Sequence, residues 1–581
     1  MKKTLSILLL SGSMVLVSCD KELLTPYYPG ALTEEVAVQN STDLQKLMNT
    51  AYGLMTPGAE IEFNSVFTDE VGIGYANGGQ GLDDNFAFLL NSGSGSASGI
   101  WSTHYSTLAI VNRVIKFADR IQAVDAADQG VIDKLKAEAL AIRAHAHIQL
   151  ISYFSENPKD RNKLGVMMAN RVFAPGDFVG RSTNGELYDF IDADLVEAES
   201  LFASSAVAFN PIFANKNFVG ALRARVSLLR GDYADALLHA NSVIANSGLT
   251  LAKTTDYKSV FHTDANSNSV EVIFKLKKLV GQTKIGGIWA SVSTNAASGS
   301  PFYEMGRSVF NLLNTTNAAS VASKTVTAIQ SGKNIVIPSH GLKVQDIFMP
   351  TVTSNKLTAG KCYFVASVVD ANTITLSNGV GGVAVTGLTS AAVLSIPVKT
   401  AYGDIRYSIN VDPSSVIDMN YTTSADFRNT DKITIGKYPG TNSNGLMVND
   451  IKICRLSEMY FIKAEALAAQ GQLSDAADAI QTIRNNRYSS SQPIVNYANV
   501  VEAYQDILKE KRLEFAYEGY RFLDLKRLGA LANVSIDRDS KDCAINNACN
   551  LPMSDHRFTL PIPTIETNSN SIIKGQQNTG Y

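Results

Sequence analysis

Ala221-Leu222-Arg223-Ala224-Arg225-Val226-Ser227-Leu228-Leu229-Arg230-Gly231-Asp232-Tyr233-Ala234-Asp235-Ala236 reads as two helices joined by a Gly-Asp break. Small residues line one side, which lets two helix axes approach closely. The same pattern returns about 240 residues downstream, where Leu456 to Gln470 is followed by Gly471-Gln472-Leu473-Ser474-Asp475-Ala476-Ala477 and a second helix to Arg487. Ser474 is the expected N-cap there. Each pair leaves an apolar face that must be buried against a neighbour, so the two copies imply one interrupted helical scaffold.

Such helix-turn-helix units resemble tetratricopeptide repeats. Upstream, helical period predicts helices over 34–55, 101–122, 128–155, 185–203, 215–229 and 232–246, separated by Gly- and Asn-rich loops. Gly93-Ser94-Gly95-Ser96-Ala97-Ser98-Gly99 lacks the Lys-Ser/Thr ending of a phosphate loop and reads as a flexible loop. Between Ser320 and Lys399 the character changes to β-branched residues, few charges and closely spaced turn signals. The expected fold is therefore mainly α, a helical-repeat scaffold with long loops and an inserted small all-β domain. The module, with Ser339-His340-Gly341-Leu342 and Tyr363-Phe364-Val365-Ala366 among its segments, resembles phage tail-type β modules. The expected division is 1–18, 19–319, 320–399 and 400–581.

Across 581 residues, 45% are hydrophobic and 18% charged, an ordinary globular balance that excludes collagen-like, coiled-coil and disordered classes. Lys and Arg number 51 against 54 Asp and Glu, so no positive excess exists to release counterions from a phosphate backbone. Nucleic acid is not an expected partner.

At the N-terminus, Lys2 and Lys3 precede the apolar stretch Leu5 to Val17, which is too short to span a bilayer, and Leu16-Val17-Ser18-Cys19 follows. This is an export signal, and the tetrad resembles a bacterial lipobox. That resemblance makes 1–18 a signal peptide and Cys19 the acylated first residue of the mature chain. Several acyl chains at ~0.8 kcal/mol per buried CH₂ give effectively permanent anchoring. Outside the cytoplasm a disulfide is permitted, and Cys543 and Cys549 lie in a polar loop where five intervening residues can close a small ring. Cys362 and Cys454 sit in apolar segments and read as buried thiols.

Near the C-terminus, Lys509-Glu510-Lys511-Arg512-Leu513-Glu514-Phe515-Ala516-Tyr517-Glu518-Gly519-Tyr520-Arg521-Phe522-Leu523-Asp524-Leu525-Lys526-Arg527-Leu528-Gly529 sets dense charge beside large apolar groups. This mixture predicts a partly buried ion-pair network that orients neighbouring helices. The stretch also resembles the signature helix of the SusD/RagB family. Leu560-Pro561-Ile562-Pro563-Thr564-Ile565-Glu566 and Gln577-Asn578-Thr579-Gly580-Tyr581 are similar to that family's ending, with Thr579 where a Pro is common. Trp101 to Tyr105, Asn112 to Ile115 and Glu138 to Ala144 match further family landmarks. The resemblance implies a surface-exposed outer-membrane lipoprotein that binds nutrient, usually glycan, and sits as a lid on a SusC-like TonB-dependent transporter. It implies no catalysis and no cofactor. Cys19-Asp20-Lys21-Glu22 is similar to the acidic, Lys-containing export tag of surface lipoproteins. Peptide capture is the alternative within the family.

Enzymatic readings are weaker. Glu514 and Glu518 share a helix face at i and i+4, whereas glycosidase carboxylates flank the scissile bond some ~5 to 9.5 Å apart, usually from separate elements. His145 and His147 are two apart and point in different directions on a helix, so they do not form a metal pair. No metal is expected.

Binding sugar calls for aromatic faces that stack on apolar CH groups, with Asn, Asp and Arg nearby for hydroxyls. Two regions meet this demand. One is Asp69 to Phe88, with Tyr75, Asn77, Asp83, Asp84 and Phe86; the other is Trp289 to Arg307, with Trp289, Asn295, Phe302, Tyr303 and Arg307. Trp101 heads a helix in a family landmark and reads as a packing residue. A scaffold role, in which the β module docks another surface protein, is the third reading.

Overall fold

The computed structural model describes residues 34–581 apart from 80, 83, 206–207, 265–269, 294–295, 319–322, 379–381, 426–429 and 442. The expected signal peptide and Cys19 lie outside these residues. No helix among them is long and apolar enough to cross a membrane.

The first repeat pair comprises the helices Lys216–Arg230 and Tyr233–Asn246. Asn215 starts it by accepting the amides of Asn217 and Phe218, and Gly231 ends the first helix at φ 84°, a left-handed position that suits glycine. The second pair is Leu456–Ala469 and Leu473–Arg487. The helix over 456–469 packs directly on the 233–246 helix, so the two copies are neighbours in space. Buried Ala221, Ala224, Ala236, Ala240, Ala464, Ala476 and Ala479 make that close approach possible. Ser474 is not the cap: the helix begins at Leu473 after Gln472, whose side chain makes no capping bond.

Further helices run over Ser41–Leu54, Gly58–Phe67, Gly95–Ala118, Ala126–Phe154 and Asn184–Ser204. The segment expected as one helix over 34–55 is split into Glu34–Ala37 and Ser41–Leu54, because Asn40 accepts the Asp43 amide and starts a new helix. The glycine-rich run read as a flexible loop is largely helical from Gly95. Burial of Ala97 and Ile100 in the core pulls that turn into the helix despite weak propensity.

The charged stretch over 509–529 is not a single helix. The helix Val500–Phe515 stops, Tyr517 (φ 64°) and Gly519 (φ 87°) reverse the chain, and Arg521–Asp524 continues into a wide turn over Leu525–Gly529. Its charges form the expected network. Glu514 binds Arg455 at 2.7 Å and Arg487 at 2.8 Å, and Glu518 binds Arg455 at 2.8 Å and Lys437 at 2.6 Å. Glu510 binds Arg406 at 2.6 Å and Arg484 at 2.9 Å, while Glu271 closes onto Arg455 and Arg487. Burial pushes the Glu514 carboxyl up, but Arg487 and Arg455 outweigh it and hold the group well below the usual carboxylate range. Glu514 is thus held between guanidinium groups, without access to solvent, in a setting that favours its ionised form.

Seven antiparallel strands form one sheet, ordered Ser323–Val326, Ile396–Lys399, Ile347–Pro350, Tyr363–Asp370, Thr373–Ser377, Asn334–Val336 and Ala328–Gln330. Val326, Ile335, Phe348, Val365, Ile374 and Val398 make its own apolar core. Alternate residues Ile347, Met349, Cys362 and Phe364 join the main core, as the two-residue period of a strand requires. The sheet thus sits against the helical body.

Candidate functional site

The two aromatic regions picked out in the sequence meet through a short antiparallel ladder, in which Val71–Ile73 pairs with Tyr303–Met305 and Ile73 lies opposite Tyr303. The pairing continues beyond the strands, where the Gly74 amide donates to Phe302 O at 2.8 Å and the Ala76 amide to Pro301 O at 3.1 Å. Gly74 is required at this crossing, since a Cβ there would stand 2.4 Å from Pro301 O.

The segments joined here line two clefts. The first, of about 420 Å³, is lined by Tyr75, Asn77, Glu304, Arg307, Asp431, Lys541 and Asp542. Tyr75 is 51% exposed, and the Lys432 ammonium lies 4.2 Å from its ring centroid. Glu304 accepts the Tyr75 amide at 3.0 Å on one oxygen and the Ile433 amide at 3.2 Å on the other. Burial pushes the Glu304 carboxyl up to about 7 against those two amides. Asp542 accepts the Arg307 amide at 2.7 Å, and its burial likewise moves it up to about 7. The second cleft is lined by Glu62, Asp84, Asn85, Lys284, Phe302 and Tyr303. Burial, with Glu62 and Asp84 close by, moves the Tyr303 phenol up to about 12.

Of the expected residues, Tyr75, Asp84 and Phe302 face these clefts. Asn77, Tyr303 and Arg307 also line them, yet chiefly as braces. Asn77 donates to Phe302 O and accepts the Gly79 amide, which holds the loop closed on itself. Arg307 pairs with Asp431 at 3.0 Å and stacks over Tyr421 at 3.9 Å. Trp289 and Phe86 are corrections. Trp289 is 2% exposed, lies parallel to Tyr438 at 5.7 Å, and its carbonyl accepts the amides of Phe302 and Tyr303. Phe86 is buried beneath the Arg538 guanidinium, 4.0 Å from its ring. Both rings satisfy the core, so neither presents a face to a ligand. Asp83 and Asn295 lie outside the described residues.

The sequence reading missed Glu304, Asp431, Lys432 and Asp542. Glu304 stands between two aromatic positions that were noticed, but nothing in a linear sequence marks an acid whose partners are backbone amides. Asp542 adjoins the Cys543–Cys549 disulfide, which closes the loop that walls the first cleft. Trp101 packs against Tyr105 and Phe154 and donates to Glu566 at 3.3 Å. His147 donates from Nδ1 to Arg143 O and accepts the Ala169 amide at Nε2, and burial brings it down to about 4. Cys362 and Cys454 are free and buried.

A helical-repeat body whose long loops gather a half-exposed ring and polar groups around open clefts has the form of a binding protein. The SusD family model matches residues 398–581, and a second model, described as starch-binding associating with outer membrane, matches 34–228. Two models of the SusD type therefore match separate parts of the chain, one in each half. SusD-like protein P2 of Formosa agariphila is 24% identical over 265 residues, 44% of this chain and 50% of that relative. Starch-binding protein SusD of Bacteroides thetaiotaomicron is 31% identical over 159 residues, 26% of each chain. These matches therefore span half or less of each relative. Among solved structures, a SusD superfamily protein from Bacteroides thetaiotaomicron superposes with a TM-score of 0.65 at 20% identity, covering 93% of this chain and 99% of that one. A putative sugar binding protein from Bacteroides vulgatus gives 0.64 at 20% identity, covering 94% and 100%. These likenesses show the shared fold.

Proposed function

We propose that this chain is a surface lipoprotein, anchored in the outer membrane through Cys19, that binds a nutrient oligosaccharide and caps a SusC-like TonB-dependent transporter for import. The observation that carries this reading is the convergence of Tyr75 and Phe302, 227 residues apart in sequence, on adjoining clefts rich in hydrogen-bonding groups. A ring that is half exposed on a braced loop offers a stacking face without a large ordering cost on binding. The family model's description as starch-binding and the sugar-binding name of a solved relative support the glycan class. The protein acts by binding alone, with Glu514 and Glu518 serving the scaffold. Residues 320–399 are an insertion in the host 19–319 and 400–581; the separate apolar core of the sheet and the start of the SusD match at residue 398 support this.

Calorimetry of soluble residues 20–581 against panels of oligosaccharides and mixed peptides tests the reading. Saturable heat with one glycan class is the expected result. Saturable heat confined to peptides would transfer the site to peptide uptake.

A further inference from the structure

Glu304 belongs to no motif of the sequence, yet it touches two walls of the first cleft. One carboxylate oxygen accepts the Tyr75 amide at 3.0 Å, and the other accepts the Ile433 amide at 3.2 Å. Tyr75 lies on the loop after the strand Val71–Ile73, and Ile433 on the segment that pairs back to Val416 through Lys432. No other side chain among the described residues bonds to either of these two amides. Hydrogen bonds to an ionised carboxylate are roughly twice as strong as neutral ones, so the charge state of Glu304 governs how firmly the walls are tied together.

We infer that Glu304 is a positioning residue that sets ligand affinity at the Tyr75 cleft and makes that affinity depend on pH near neutrality. The inference rests on the glycan-binding reading of the cleft. Ionised Glu304 offers two acceptor oxygens to two amides. Protonation turns one oxygen into a hydroxyl, a poorer acceptor, and slackens one of the two ties. The groups around it are Asp431 and Lys432 on the Ile433 segment, Arg307 on the following helix, and Lys541 and Asp542 on the disulfide loop. Of these, Asp431 opposes ionisation of Glu304 and Lys432 favours it, while Arg307 is taken up by Asp431. Burial moves Glu304 to about 7, which puts the change in the range the pH profile would cover.

The test measures amide hydrogen exchange at Tyr75 and Ile433, corrected for intrinsic rates, together with maltoheptaose affinity, for the purified protein and for Glu304→Gln at pH 6, 7 and 8. In the wild type, protection of at least one of the two amides should fall about tenfold from pH 8 to pH 6, as expected when a charge-assisted hydrogen bond is weakened. Glu304→Gln should show the low protection at every pH, and its maltoheptaose affinity should vary less with pH than the wild type's, the remaining dependence coming from Asp542, which burial also moves up to about 7. Unchanged protection in Glu304→Gln, or wild-type protection flat from pH 6 to 8, overturns the inference. Equal affinity and an equal pH profile in the two proteins overturn it as well. Failure of wild-type protein to bind maltoheptaose would count against a starch-like ligand, whereas the exchange result would still decide the role of Glu304.

Discussion

Arg521 grips Asp69 with two parallel hydrogen bonds of 2.8 Å, one from Nε and one from the terminal nitrogen. The pair joins the charged C-terminal segment to a residue two positions before the strand Val71–Ile73, 452 positions away in sequence. Burial raises the Asp69 carboxyl, but Arg512 and Arg521 together bring it down to about 2. Arg521→Ala should destabilise the protein by about 2 to 4 kcal/mol, because the buried Asp69 carboxylate keeps only Arg512, at 3.3 Å. Arg521→Lys should not restore stability, since an ammonium cannot make both bonds. Urea unfolding of the two variants provides the check; a loss below about 1 kcal/mol would mean that solvent screens the pair.

Asp69 also fixes a sign for acid behaviour. Its folded-state value of about 2 lies below the ordinary 3.8, so its contribution is complete above 3.8 and is lost as pH falls toward 2. Arg521→Ala, which removes one source of that depression, should flatten the wild type's decline in stability between pH 4 and pH 2. A slope equal to the wild type's would assign the acid loss to other carboxylates.

Glu138 behaves in the opposite sense. Burial moves it up to about 7, while its polar partners among the described residues are the Tyr52 hydroxyl at 2.8 Å and Lys134 at 3.5 Å. A raised carboxyl is most favourable below its ordinary 4.5 and loses stability as pH rises through 7. Glu138→Gln keeps an acceptor for Tyr52 and should be stabilising by roughly 2 kcal/mol at pH 8, with no gain at pH 5. Thermal unfolding at the two pH values measures this, and equal effects at both would sink it.

Tyr75 and Trp289 should separate binding from folding. Tyr75→Ala removes a half-exposed ring and should lower glycan affinity about tenfold with little change in stability. Trp289→Ala opens a cavity beside Tyr438 and Tyr517 and should cost about 3 to 5 kcal/mol of stability. Calorimetry and urea unfolding on both variants make the comparison. A Trp289→Ala protein of unchanged stability would place that ring outside the core.

The Cys543–Cys549 bond closes a short ring in the loop that carries Asp542 to the cleft. Replacing both cysteines by Ser should lower stability by about 2 kcal/mol, on the chain-entropy account for so small a loop. The same change should weaken glycan binding by freeing the Asp542 wall. Unfolding and calorimetry on the double variant would show both effects.

The helical body was legible because helix formation is encoded locally. The 3.6-residue period, the Gly-Asp break at 231–232 and the recurrence at 456–487 all lie within a few turns of chain. Local signals failed where burial overrode propensity. The turn around Gly95 is helical because Ala97 and Ile100 are needed in the core, and the 509–529 segment breaks where Tyr517 and Gly519 take left-handed conformations. The charge pattern of that segment announced a network without saying that Glu271, Arg406, Arg455 and Arg487 would complete it.

By itself the sequence determined the scaffold, the β-rich segment, the candidate cysteine pair and the family resemblance, since each is written in residues close together or in a motif of fixed spacing. Only the tertiary structure decided which aromatic rings a ligand can reach. Trp289 and Tyr75 both sit in polar, Gly-rich surroundings, yet long-range pairing buries one against Tyr438 and leaves the other half exposed beneath Lys432. Burial depends on contacts between distant segments, and a linear reading weighs an aromatic ring without knowing which face the rest of the chain will cover.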